Sequence, residues 1–567
     1  MFGKNLRLIV SVVGIASVCL ISGLTLAQQN GPQAGAAFTT LSTFETNDFS
    51  GSGICAFCHS SLTDKEPKDV SMDAHWRSTM MANAAKDPLW QAKVSSEVAR
   101  VTEGLDLEQL IQEKCSRCHM GMARYQQLTN GATKYDIYVL DSGFLDPNHS
   151  LHEAAMDGVS CTLCHQVTAT NLGTEGSYTG QYSIDTDTFS PDRLLFGPYA
   201  RPPLNPMQQN TGFVPTDHIY GGLQLADSAH CGSCHTLYTP ALDADGGYLG
   251  EFPEQTTYLE WEHSGVLQTC QDCHLPKATG KVVISNRPRR LAPRDSFGQH
   301  HYVGGNSFMV NLLKNNAAVL GVTAEDPHFD ATLSRTLAQL EQDTAKVTVT
   351  ALTITENQLA VEVRVENLAG HKFPSGLPSR RAWLHVTVAD AGGKIVFESG
   401  KPLADGSIAF NDADANPKDF EPHYDEINFS HEVQIYEPVM LNTDGAVTYT
   451  LLRANEYVKD NRLLPTGFII DNASFPDIGV YGEAEFDDNF TGGSDQILYD
   501  VNVSSAKGQD LTVTVELLFQ SLSFPFVEDL NVTTTPLPLV QKFMGIYDPA
   551  ENKPVVVAKI LPITVVR

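Results

Sequence analysis

Five copies of one five-residue pattern carry the recognisable chemistry of this 567-residue chain. They are Cys55-Ala-Phe-Cys58-His59, Cys115-Ser-Arg-Cys118-His119, Cys161-Thr-Leu-Cys164-His165, Cys231-Gly-Ser-Cys234-His235 and Cys270-Gln-Asp-Cys273-His274. Cys-x-x-Cys-His is the attachment signature of c-type haem. Two thiols one short turn apart reach the two vinyl groups of a porphyrin as thioethers, and the next residue places its imidazole under the iron. Chance would supply about 0.01 copies in a chain of this composition. A zinc finger would pair each Cys-x-x-Cys with a distant His couple and would not put His after every second Cys. A disulfide scaffold would not spread ten cysteines over so long a segment in strict pairs. The expected cofactor is therefore five covalently bound c-type haems, each bringing one iron.

Hexacoordinate irons would need five further ligands, and thirteen histidines remain after the proximal ones. Candidate distal ligands are His75, His152, His218, His263 and His300, with His371 from a later loop. Met81 is the thioether candidate, beside Met80. His230 ranks below these because it abuts Cys231.

The segment Trp76-Arg-Ser-Thr-Met-Met-Ala82 resembles the Trp-x-x-Ser-x-His-Ala segment of the cytochrome c-552/c-554 family. Asp157-Gly-Val-Ser-Cys161-Thr-Leu-Cys164-His165 is similar to that family's Gly-Val-x-Cys-x-x-Cys-His. The resemblance covers roughly residues 50–280 and implies closely packed, mostly bis-His haems that relay electrons. The family's histidine falls at Met81 here, which leaves the first haem's distal ligand open between Met81, His75 and a more distant His.

The elements that hold these motifs divide the chain. Residues 1–27 read as a signal peptide, with Lys4 and Arg7 before an apolar run and Thr25-Leu26-Ala27 as a cleavage site. Residues 28–50 read as a flexible lead-in. From 51 to 330 the chain shows little sustained periodicity, so a pentahaem, mainly α and irregular domain is expected, with the porphyrins supplying apolar core. Helices are expected at 88–103, 106–119 and 149–165. The motif spacings are unequal, which excludes simple tandem repeats. A helix at 331–345 would connect this part to residues 346–567. There the pattern switches to period-two alternation at 347–354, 359–366, 383–389, 446–452 and 511–518, the mark of an antiparallel β-sandwich. With no cysteine after Cys273, that segment is expected to fold without haem.

One sandwich stretch stands apart. Gly370-His-Lys-Phe-Pro-Ser-Gly-Leu-Pro-Ser-Arg-Arg381 resembles the Gly-His-x-x-Pro-Thr-Gly segment that follows haem regions in several multihaem cytochromes. Such a Gly/Pro loop could present His371 to a haem. Otherwise it is an ordinary hairpin whose Arg380 and Arg381 pair with haem propionates or acidic residues. Asp412-Ala-Asp414 and Asp487-Asp488 read as solvated acidic loops, with calcium the rival reading.

The net charge of −29 disfavours nucleic acid and anionic membranes as partners. The leading expectation is an exported periplasmic or extracellular cytochrome, with no membrane anchor after signal cleavage. It would carry electrons to redox partner proteins or an extracellular acceptor, and an oligomer or filament is compatible with that. The alternative is a multihaem oxidoreductase acting on a small nitrogen or sulfur compound at one open haem. It would need distal acid/base groups that no motif here identifies.

Overall fold

The computed structural model describes residues 41–101, 107–216, 222–532 and 535–567. The expected signal peptide, residues 28–40 of the lead-in and His218 lie outside them. Residues 41–50 are packed rather than flexible: Phe49 is buried, and Asp48 forms a buried 2.8 Å ion pair with Arg193.

Helices Pro88–Val101 and Glu108–His119 lie where expected, the second running into a motif. The single helix expected at 149–165 is instead two short pieces, His152–Met156 and Cys161–Cys164. The break falls at Gly158, whose φ is +65° and where a Cβ would come within 2.6 Å of the Ala82 carbonyl. Only glycine tolerates both conditions. Two small sheets also occur in this half, strands β1 (Arg193–Phe196) with β2 (Phe213–Thr216) and β3 (Leu237–Leu242) with β4 (Tyr248–Gln255).

After helix Asp326–Asp343 the chain becomes sheet. The strands are β5 (Ala345–Ile354), β6 (Gln358–Asn367), β7 (Arg381–Asp390), β8 (Ile395–Ser399), β9 (Glu426–Ile427), β10 (Ile435–Tyr436), β11 (Pro438–Leu441), β12 (Glu456–Asp460), β13 (Ser494–Asn502), β14 (Leu511–Gln520), β15 (Val555–Lys559) and β16 (Ile563–Val565). One sheet runs β5-β6-β13-β9, its last pair parallel. Another runs β10-β7-β14-β15, with β8 beside β7 and β16 beside β14. Alternate residues of both sheets, including Val361, Val363 and Ile497 from one and Val386, Val513 and Leu517 from the other, share one apolar cluster. Period-two alternation on each strand produces that shared core.

The expected strand at 446–452 is absent. Buried Glu97 accepts the Leu451 and Leu452 backbone N–H groups at 2.8 and 3.2 Å, and the chain turns through a 3₁₀ helix at Leu451–Arg453. Helices Phe524–Asn531 and Pro538–Met544 had no counterpart in the sequence reading. Their Phe526, Leu530, Val540 and Phe543 join Leu89, Ala92, Phe308, Met309 and Leu313 in a second cluster, so apolar packing is continuous between the halves. Among the described residues no helix is long and apolar enough to cross a membrane.

Candidate haem-binding cavity

All ten motif cysteines and all five motif histidines line one continuous cavity of about 2660 Å³. That is about 530 Å³ per motif, within the ~300–1,000 Å³ of a single small-molecule pocket. The volume and the repeated donor set fit five tetrapyrroles, with each Cys pair available for thioether attachment and each following His available for iron.

Four of the five motif histidines are oriented by remote backbone carbonyls. His59 Nδ1 donates to the Ile284 carbonyl (2.8 Å), His119 to Ala84 (3.0 Å), His165 to Phe196 (2.7 Å) and His274 to Val303 (2.7 Å). Each bond fixes ring orientation and leaves Nε2 free to bind a metal. Burial keeps these rings neutral, as ligation requires: His119 and His235 are lowered to about 4, and His59, His165 and His274 are also lowered. Trp90 stacks on His119 at 4.4 Å between centroids.

Thiol contacts give the order of the motifs in space. Cys55 lies against Cys161, Cys118 against Cys234 and Cys231 against Cys270, and the first thiol of each pair is pushed well above the ordinary value by its neighbour and then by burial. Burial raises Cys164 to about 12, with the Cys234 thiol adding to the shift. The first motif therefore adjoins the third, the fourth adjoins the second and fifth, and the third and fourth feel one another. Spatial order differs from chain order.

The two segments that carry the family resemblance meet here. Trp76 Nε1 donates to the Val159 carbonyl (2.9 Å), and Val159 N–H donates to the Met81 carbonyl (3.0 Å). Asp157 accepts from both Ser52 N–H (2.9 Å) and Ser52 Oγ (2.7 Å), tying the third motif to helix Ser52–His59, which carries the first.

The candidate distal ligands divide. Met81, His300 and His371 line the cavity, as do His230 and His301. The His300 ring centroid lies 6.5 Å from that of His165, with the planes 21° apart. His371 Nδ1 donates to the Lys372 carbonyl (2.9 Å), and its ring lies in electrostatic reach of both His235 and His274. His75, His152 and His263 are not in the cavity lining. His152 and His263 bond the nearby Phe144 and Leu259 carbonyls at 2.8 and 2.9 Å. His75 sits behind His301, with ring centroids 4.5 Å apart. His230, ranked low from its position in the sequence, has a buried Nδ1 without a partner.

The His371 loop is anchored by buried charge. Lys372 Nζ bonds Asp460 and the Gly479 carbonyl, both at 2.7 Å, while Lys372 N–H donates to Glu260 (3.1 Å) from helix Thr257–Glu262. Arg462 bridges Glu260 (2.9 Å) and Asp460 (2.8 Å). Burial opposes ionisation, but Arg462 and Lys372 hold Asp460 well below the usual carboxylate range. Arg380 and Arg381 separate: Arg380 lines the cavity, whereas Arg381 forms a buried 2.7 Å pair with Asp414. Neither acidic loop is simply solvated, because Asp414 takes that pair and Asp487 bonds His423 (3.1 Å). His423, Asp487 and Asp495 offer ligand atoms within 4.8 Å of one another. Gln434, Asn461 and Tyr436 already satisfy His423 and Asp495.

No protein-family model and no curated protein matches the chain. Among solved structures, the chain is similar to a penta-heme cytochrome c552 from Thermochromatium tepidum. The likeness has 17% identity and a TM-score of 0.48, covering 87% of this chain and 96% of that one.

Proposed function

We propose that this chain is an exported pentahaem c-type cytochrome that carries electrons along a branched set of closely packed haems. The observation that carries the reading is the convergence of all fifteen motif residues on one cavity. Haem supplies one-electron redox chemistry when bound, and the chain's own contribution is attachment, orientation and burial. Cys55/Cys58, Cys115/Cys118, Cys161/Cys164, Cys231/Cys234 and Cys270/Cys273 hold the five groups, with His59, His119, His165, His235 and His274 as proximal ligands. The thiol contacts support a path from the first motif through the third to the fourth, branching there to the second and fifth. His300 is assigned as the partner of His165, and His371 as a ligand shared out to the fourth or fifth motif. The two large sheets are read as a β-sandwich that presents His371.

Electron paramagnetic resonance of the oxidised protein tests this directly. The wire requires only low-spin ferric signals, and His371→Ala should convert one of five to high spin. A high-spin centre in the unmodified protein would favour an oxidoreductase with an open iron. An unchanged spectrum in the variant would remove His371 from the ligand set.

A further inference from the structure

The chain is strongly acidic, yet residues 273–294 contain six Lys and Arg and no Asp or Glu, so the remainder carries −35. This stretch packs against the first motif. Asn286 N–H donates to the Cys58 carbonyl (2.8 Å), and the Ile284 carbonyl holds His59. The Arg287 guanidinium sits 4.3 Å from the ring centroid of Phe57, which is itself 43% exposed. Arg287, Arg289 and Arg290 are exposed. Arg289 and Arg290 form no salt bridge among the described residues, in contrast to Lys281, which pairs with Asp295 at 2.9 Å. Arg294 donates to the Ala200 carbonyl (3.1 Å) and extends the same face.

We propose that this arginine patch, beside the solvent-facing edge of the first motif, docks an acidic redox protein that exchanges electrons with the chain there. The inference rests on the reading of the chain as a haem wire and gives that wire a specific terminal. Phe57 and Cys58 belong to the motif at one end of the thiol-contact path, so a partner seated on Arg287, Arg289 and Arg290 lies next to a terminal group. In each productive encounter a reduced partner loses one electron and the chain gains one, and no atom is transferred. Exposed guanidiniums suit this role because they pair bidentately with carboxylates and raise encounter rates. A nucleic acid or an anionic bilayer would extend beyond the patch and meet the surrounding negative charge. A small acidic protein can present its carboxylates locally.

The test uses the haem-loaded full chain and a reduced acidic flavoprotein as donor, with haem reduction followed by stopped flow at rising salt. Two net-negative proteins should repel, so net charge alone makes the rate rise with salt. The patch predicts the reverse, a fall of about tenfold between low and high salt, as electrostatically steered encounters show. Arg289→Glu with Arg290→Glu should cut the low-salt rate about tenfold and reverse the salt dependence. The milder Arg289→Gln with Arg290→Gln should fall between. Reduction by an uncharged small molecule should be unaffected in every variant, and failure of that reaction in the unmodified protein would instead sink the wire reading. The docking proposal is overturned by a rate that rises with salt in the unmodified protein, or by glutamate variants that behave like it. It is equally overturned if the patch binds phosphatidylserine vesicles more tightly than the flavoprotein, or if the glutamine variants shift a haem potential without changing the salt dependence.

Discussion

The two halves of this molecule build their interiors differently. Between β5 and β16 the interior is side chain against side chain, with Val361, Val363, Leu384, Val513 and Leu517 all fully buried. Each such residue contributes about 1.5–3 kcal/mol relative to exposure. Between the first motif and the fifth, a smaller apolar cluster that includes Phe49, Met120, Met122, Phe144 and Leu163 lies beside a large cavity onto which the motif thiols and imidazoles converge. The contrast teaches that one half encodes its core as periodicity, while the other divides its interior between a short-range apolar cluster and a cavity ringed by repeated Cys and His residues.

The sharpest way to break that comparison is to withhold the cofactor. With all ten motif cysteines changed to Ser, hydrogen exchange should collapse to near-unprotected rates through the motif region. Amides of β6, β13, β7 and β14 should keep most of their protection. Equal loss in both halves would show that the sheets depend on the cavity being filled.

A second intervention cuts the connection between the halves. Glu260→Ala leaves Arg462 and the Lys372 peptide N–H without their buried carboxylate, and removal of one partner from a buried pair costs about 3–5 kcal/mol. Chemical denaturation should register that loss. A change below about 1 kcal/mol would mean that water replaces the carboxylate.

A smaller, pH-dependent effect belongs to Glu254, at the end of β4 in the cavity wall. Burial, reinforced by Glu97, raises it from 4.5 to about 7. A raised carboxylate contributes stability that is fully present below pH 4.5 and is lost as pH rises to about 7. The corresponding loss is up to about 3 kcal/mol. Glu254→Gln should flatten the stability profile across that window, and an unchanged slope would assign the dependence elsewhere.

How much was legible in the sequence follows the same division. The strands β5, β6, β7 and β14 were readable because alternation alone places one face in the core. The strand expected at 446–452 failed because Glu97, some 350 residues earlier, takes its N–H groups. The helix expected at 149–165 failed at Gly158, whose Asp-Gly pair is itself a turn signal. Pro525 and Pro538, each in the first turn of its helix, could have marked the two late helices. At the site, the Cys and His residues that converge on the cavity were readable because each trio lies within five residues of chain. Distal assignment was not, because it depends on which distant ring reaches the cavity. His300 and His152 look alike in sequence, yet only His300 lines the cavity.

The central claim is that five covalently attached haems fill this cavity, and the intact mass of the mature protein tests it most directly. The account predicts a mass exceeding the processed polypeptide by five haem units, all retained after acidic organic extraction. A stable product carrying four or fewer, or one that loses haem on extraction, would contradict it.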